Sequence, residues 1–293
     1  LLLLGSYLTG TYMSAQGFYR FAATDTASEA FRPKAISWVM AGGLISALIG
    51  PQLVTHTMDL WPPHLFAATH LAQGGVAALS ALVLAGIHIP MPSREEIAGG
   101  RPLGEIARHP RFVIAVVCGV VSYMVMNFLM TAAPLAMRLC GLPQETANLG
   151  LQWHIIAMYA PGFVTGRLIT RFGAVPIVAV GLVLTGLSAA TGLVGIEVVH
   201  FWGLLILLGI GWNFAFVGAS ALVLECHRPE ERTRVQSLND FLVFGTMTVG
   251  SLSSGTVLAT SGWTMVLITS FVPLALAAAA LLVLGRSPAA TAG

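Results

Sequence analysis

Long apolar runs dominate this sequence and limit its fold more than any other feature. A membrane-spanning helix needs about 20 mostly apolar residues, and the chain contains nine runs near that length, none with strand-like alternation. Backbone groups in lipid must be satisfied within each helix, so the runs predict an all-α integral membrane protein with about nine transmembrane helices. The runs cover residues 1–22, 35–58, 64–88, 112–137, 148–169, 174–196, 201–224, 235–258 and 262–285.

Composition excludes several other classes of protein. Charged residues make up only 9% of the chain, against about 25% in soluble domains, which argues against a soluble or disordered chain. The 14 basic and 12 acidic residues nearly balance, so nucleic acid is not an expected partner. The three cysteines are far apart and have no metal-ligand spacing. Motifs of hydrolases, zinc proteases and nucleotide-binding enzymes are absent, so we expect no enzyme, no metal and no cofactor.

The basic residues predict how the helices are oriented. All 14 except Arg138 fall in alternate connections, on one side of the predicted membrane. The positive-inside rule makes that side cytoplasmic and places the C-terminus there.

The longest connection, 89–111, is charged and broken by Pro and Gly, and it predicts a cytoplasmic linker. It separates a three-helix segment, 1–88, from a six-helix bundle, 112–286, followed by a disordered tail at 287–293. An internal similarity at an offset of 200, between 32–37 and 232–237, supports a six-helix repeat. The first half would then lack three helices. The chain also starts without Met, which favours a partial chain.

Three short motifs resemble those of the major facilitator superfamily. Gly166-Arg-Leu-Ile-Thr-Arg-Phe-Gly173 resembles its cytoplasmic loop motif, with Thr170 in place of the usual Asp. Gln16-Gly17 resembles the Gln-Gly of its fourth-helix motif, although Met13 stands in place of Arg. Gly50-Pro51 resembles the Gly-Pro of its antiporter motif. The resemblance implies a two-bundle transporter of which this chain supplies helices four to twelve, the first three of twelve being absent.

The stretches 152–158, 211–214 and 225–232 resemble a family of bacterial permeases. The resemblance implies a monomeric transporter in the bacterial inner membrane. It leaves the substrate open, with vitamin-like heterocycles such as riboflavin as one candidate.

Polar and aromatic residues near the middle of the spans are candidates for the substrate path. Such groups are costly in hydrocarbon unless they face a cavity or another helix, and stacking aromatics with a few amides suit a planar solute. Hydrogen bonds between helices are the alternative for each one. Gly211, Ala215 and Ala219 recur every four residues, which is typical of tight helix packing. The candidates are Gln16, Tyr123, Asn127, Gln152, Tyr159, Trp212 and Asn213.

Asp240 is the acidic residue that lies well inside a predicted span, and it is therefore the candidate for proton coupling. The alternative is an interfacial carboxylate paired with a loop arginine such as Arg234.

Charged residues at the cytoplasmic helix ends predict a gate that ion pairs hold closed in one state and release in the other. We expect Glu225 to reach Arg167 or Arg171 in at least one conformation. Solvated pairs of little energetic value are the alternative. The candidates are Arg167, Arg171, Gly173, Glu225 and Arg234.

Together these features predict a secondary active transporter that moves a small organic solute across the bilayer by alternating access, with proton coupling left open. Uptake of a vitamin-like heterocycle and drug-type efflux both remain open. A non-transporting membrane scaffold or remnant paralogue is the rival from another class.

Overall fold

A computed structural model describes residues 32–87 and 100–286. The predicted span 1–22, including Gln16, and the tail 287–293 lie outside the described residues. The regular structure within those ranges is helical. The helices are α1 Arg32–Thr57, α2 Ala67–Ala85, α3 Leu103–Ala107, α4 Pro110–Leu139, α5 Gln144–Tyr159, α6 Gly162–Phe172, α7 Ala174–Val194, α8 Val198–Leu224 and α9 Arg232–Arg286.

Five of these helices are long and apolar enough to cross a membrane. The longest, α9, contains two predicted spans, because Gly262 adopts a left-handed φ of 79° and divides it into segments 232–261 and 263–286. Glycine accepts this φ without the steric penalty of a side chain. The five candidates are α2, α4, α7, α8 and the stretch Arg232–Val283 of α9.

The predicted span 148–169 differs from the structure, since it consists of α5 and α6 rather than one straight helix. Pro161 lies at the break, and its ring has no N–H to donate to the preceding turn. Ala160 and Pro161 both keep right-handed helical dihedrals, so the chain kinks here without unwinding.

The chain divides into two compact units, Leu1–Pro92 and Ser93–Gly293. In the first, the hydroxyls of Thr57 and Thr69 lie 2.8 Å apart and join α1 to α2. In the second, part of the sequence assigned to the linker forms the short helix α3, whose Ile106 is buried in the core.

Small residues let α7 and α8 approach closely in the second unit. A Cβ added to Gly181 would lie 2.7 Å from the Cα of Ala215, and one added to Gly211 would lie 2.6 Å from Oγ1 of Thr185. Gly211 and Ala215 of the small-residue stripe of α8 therefore pack against α7, and Ala219 faces Gly119 of α4.

Candidate functional site

An aromatic cluster lies near the middle of the second unit. Tyr123 of α4 makes edge-to-face contacts with Trp212 and Phe216 of α8, at centroid distances of 5.4 and 5.0 Å. It makes a third with Phe244 of α9, at 5.5 Å. Tyr159, at the end of α5, lies 6.4 Å from Trp212. Four helices thus contribute rings to one place.

The depth of this cluster follows from helix geometry. Tyr123 is 13 residues from the start of α4 and Trp212 is 14 residues from the start of α8. At 1.5 Å per residue, both lie about 20 Å from a helix end, close to the middle of a span. Trp212 and Phe216 are also stacked on each other, 5.2 Å apart with 13° between their planes.

Two buried polar atoms near the cluster have no hydrogen-bond partner among the described residues. They are Nε1 of Trp212, a donor, and Oδ1 of Asn127, an acceptor one turn beyond Tyr123 on α4. Such atoms are rare in folded proteins and call for an explanation. A solute that carries both an acceptor and a donor would satisfy them.

Asn213 instead forms contacts between helices. Its Nδ2 donates to the carbonyl of Met158 at 2.6 Å, and its Oδ1 accepts from Oγ1 of Thr165 at 2.6 Å. Because Met158 lies before Pro161 and Thr165 after it, one fully buried amide of α8 holds both sides of the kink. The geometry therefore fits the structural alternative for this residue.

Gln152 and Asp240, the remaining predicted residues of the path and the coupling site within the described ranges, are half-buried. Gln152 lies on α5, two turns before Tyr159. Asp240 lies in the first segment of α9, where its Oδ1 accepts from Nδ2 of Asn239 at 3.2 Å. Neither belongs to the aromatic cluster.

Two ion pairs lie at one end of the second unit, which we name the basic end; it comprises residues 100–111, 166–173 and 225–234. Glu225, at the end of α8, pairs with Arg111 at the start of α4. Both side chains are half exposed, and the pair links two helices that also carry rings of the cluster.

The second pair is more deeply buried. The Glu231 carboxylate accepts from Nε and Nη2 of Arg101, both at 2.9 Å, and from the backbone N–H groups of Arg101 and Arg228. The Glu231 side chain is 0% exposed. Its hydrogen bonds from Arg101 hold the pKa of the Glu231 carboxyl far below its usual range. The pair fastens the segment before α3 to the turn between α8 and α9.

The other predicted gate residues lie at the same end of the unit. Arg167 and Arg171 are exposed on α6, and Gly173 joins α6 to α7 with a left-handed φ of 85°. Arg234 is half-buried in the first turn of α9. In this conformation Glu225 pairs with Arg111, so its predicted contact with Arg167 or Arg171 stays a prediction for another state.

Sequence reasoning missed several members of these sites. Phe216 and Phe244 complete the cluster, but phenylalanine is common in any span and gives no signal. Arg101 lies in the predicted linker 89–111 and Glu231 in the stretch 225–232 that carries the permease resemblance, and neither was predicted to form an ion pair. Within the described ranges, no three metal-ligating side chains lie together.

Apolar spans, a mid-span aromatic cluster and a charged end together define a polytopic α-helical membrane protein. The chain belongs to the Major Facilitator Superfamily, whose sequence model matches residues 115–293. The predicted family is thus confirmed.

The chain is similar to three curated relatives. It is 50% identical over 263 residues to the riboflavin transporter RfnT of Brucella anthropi, covering 89% of this chain and 66% of that protein. It is 27% identical over 292 residues to the uncharacterized MFS-type transporter YddS of Bacillus subtilis, covering 93% and 66%. It is 29% identical over 277 residues to YdeG of the same organism, covering 88% and 63%. The chain spans slightly less than two thirds of the length of these relatives.

Proposed function

We propose that the protein to which this chain belongs is a secondary transporter that carries a small organic solute across the bacterial inner membrane by alternating access. Family membership supports the class of activity. The observation that carries the proposal is the aromatic cluster, because four helices bring rings to mid-span, the depth at which transporters of this type bind their solutes.

The proposed solute is a planar heteroaromatic molecule of the riboflavin type. Tyr123, Tyr159 and Trp212 offer ring faces and edges for such a molecule. The unpartnered N–H of Trp212 would donate to a ring carbonyl, and the unpartnered oxygen of Asn127 would accept from a ring N–H. The similarity to a protein named as a riboflavin transporter favours the same substrate class.

The charged groups supply the remaining parts of the mechanism. The basic end would face the cytoplasm, where the pair of Glu225 and Arg111 would open and close as α4 and α8 shift against each other within the second unit. Asp240 would carry the proton if transport is coupled, since its carboxylate lies within a span. A monomer suffices for this scheme.

The experiment is riboflavin uptake by the full-length protein in cells that lack their own riboflavin uptake system. Trp212→Phe keeps a ring but removes the N–H. Losing one hydrogen bond costs about 0.5–1.5 kcal/mol, so KM is expected to rise roughly two- to tenfold with little change in kcat. Trp263→Phe is the matched control, because Nε1 of Trp263 is also buried and unpartnered but its ring contacts Phe201, outside the cluster.

Equal KM values for both variants would refute the assignment of Trp212 to the solute. Absence of riboflavin transport, together with transport of a non-aromatic solute, would refute the substrate class alone. Failure to move any member of a solute panel would favour the non-transporting scaffold.

A further inference from the structure

An apolar groove of about 710 Å³ lies between α7 and the last segment of α9, away from the aromatic cluster. It extends along α7 from Val175 to Gly186 and along α9 from Phe271 to Leu282, and every residue that lines it is apolar. Val183 and Leu282 are 61% and 64% exposed, so the groove opens sideways rather than into the core.

The length of the groove matches one leaflet of a bilayer. It covers 11 residue steps on each helix, or about 16 Å at 1.5 Å per residue. The hydrocarbon core of a bilayer is about 30 Å thick, so one leaflet is about half of that. A partner helix would follow α7 across both leaflets as far as Val194, whereas the groove stops at Gly186.

The residues that flank the groove end at Val175 and Leu282 in the sequence are basic. Arg171 is exposed and lies four residues before Val175, and Arg286 follows Leu282 by four residues in the sequence. The stretches 146–196 and 241–293 contain no Asp or Glu. The polar group that meets this end of the groove is therefore expected to be an anion.

We propose that the groove binds one acyl chain of an anionic phospholipid, whose phosphate pairs with Arg171. The chain lies between the two helices over the depth of one leaflet. Its headgroup reaches the guanidinium at the membrane surface, where Arg171 lies against the exposed ring of Phe172.

The test is native mass spectrometry of the purified full-length protein after exchange into mixed phosphatidylglycerol and phosphatidylcholine. Ala278→Phe fills the groove from an exposed position, and Ala279→Phe places the same bulk on the neighbouring exposed residue outside it. The wild type and Ala279→Phe are expected to retain one phosphatidylglycerol. In Ala278→Phe, the fraction of protein that retains phosphatidylglycerol is expected to fall at least fivefold.

Arg171→Gln tests the headgroup, with Arg167→Gln as the matched control on the same helix. Only Arg171→Gln is expected to lower the preference for phosphatidylglycerol over phosphatidylcholine, by at least threefold. Size-exclusion chromatography checks folding, and Ala275→Leu, also in the groove, replaces Ala278→Phe if that variant aggregates.

Unchanged lipid retention in both groove variants would overturn the proposal. So would a wild-type dimer that Ala278→Phe dissociates, because the groove would then be a contact between copies of the chain. Equal lipid preference in the two arginine variants would overturn the headgroup assignment.

Discussion

The amide of Asn213 allows a test of whether a polar residue in the middle of a span stabilises the fold or binds the solute. Thr165→Val removes the hydroxyl that donates to Oδ1 of Asn213 and keeps the shape of the side chain. We expect it to destabilise the folded protein, because a buried acceptor then loses its donor.

The magnitude follows from the two contacts. Hydrogen bonds between membrane helices contribute on average about 0.6 kcal/mol each, and at most about 1.7. Thr165→Val should therefore cost about 0.6–1.7 kcal/mol. Asn213→Ala also removes the donor to Met158, so about 1–2 kcal/mol is expected. The hydroxyl of Thr165 keeps a second acceptor, the carbonyl of Pro161 at 2.8 Å, which limits the loss.

The assay is a double-mutant cycle on the full-length protein, with unfolding in SDS followed by tryptophan fluorescence. Because the two substitutions remove one shared bond, the double variant should lose about 0.6 kcal/mol less than the sum of the single variants. Ser220→Ala is the control, since its hydroxyl bonds only within α8, to Phe216. We expect no measurable change there.

Additivity of the two substitutions within about 0.3 kcal/mol would refute the reasoning, because residues that share no bond behave in that way. A second result would also refute it: a large rise in the KM for riboflavin in Asn213→Ala, with no loss of stability. Asn213 would then belong to the substrate path and not to the kink.

Three further predictions concern the charged residues. Glu231→Gln should destabilise the protein by about 1–3 kcal/mol. Because folding lowers the pKa of Glu231, the stability from its pair with Arg101 is present above about pH 4.3 and is lost as the pH falls towards the folded pKa. Unfolding curves at several pH values should therefore show less acid sensitivity in the variant than in the wild type. Glu225→Gln and Arg111→Gln should each slow transport to a similar extent without reducing membrane insertion, as measured by uptake and by membrane fractionation. If transport is proton-coupled, Asp240→Asn should abolish accumulation of solute against a gradient yet preserve exchange, which requires no net proton movement.

Controls for these variants lie close by. Glu230→Gln changes an exposed acid next to Glu231 and should have little effect on stability. Unequal transport rates in the two variants of the Glu225 pair would contradict its role in gating. Accumulation that stays pH-dependent in Asp240→Asn would exclude that residue as the proton carrier.

Most helices could be predicted from the sequence because a span in lipid needs a long apolar run, whatever its neighbours. The kink at Pro161 was missed, since a run of 20 residues is averaged over the break that one proline makes. The break at Gly262 was easier to predict, because Gly262 is the first residue of the run 262–285, which is separate from the run 235–258.

The site was predicted in part, and for a different reason. Tyr123, Tyr159 and Trp212 are unusual in hydrocarbon and therefore stand out, and the structure brings their rings together. The ion pairs depend on which helix ends become neighbours. Nothing in the local sequence distinguishes Arg111 from Arg167 as the partner of Glu225, because that choice is made by the packing of whole helices.

The close approach of α7 and α8 has a mechanical consequence. With Gly181 against Ala215 there is almost no compressible side-chain layer between the two backbones, so a displacement of one helix is passed on to the other. The pair is expected to move as a single stiff block. Conformational changes within this unit are then expected at α6, because Thr165 is its one fully buried residue and the rest of the helix is packed less tightly. The size of the side chains between neighbouring helices thus determines that α7 and α8 move together and that α6 moves separately.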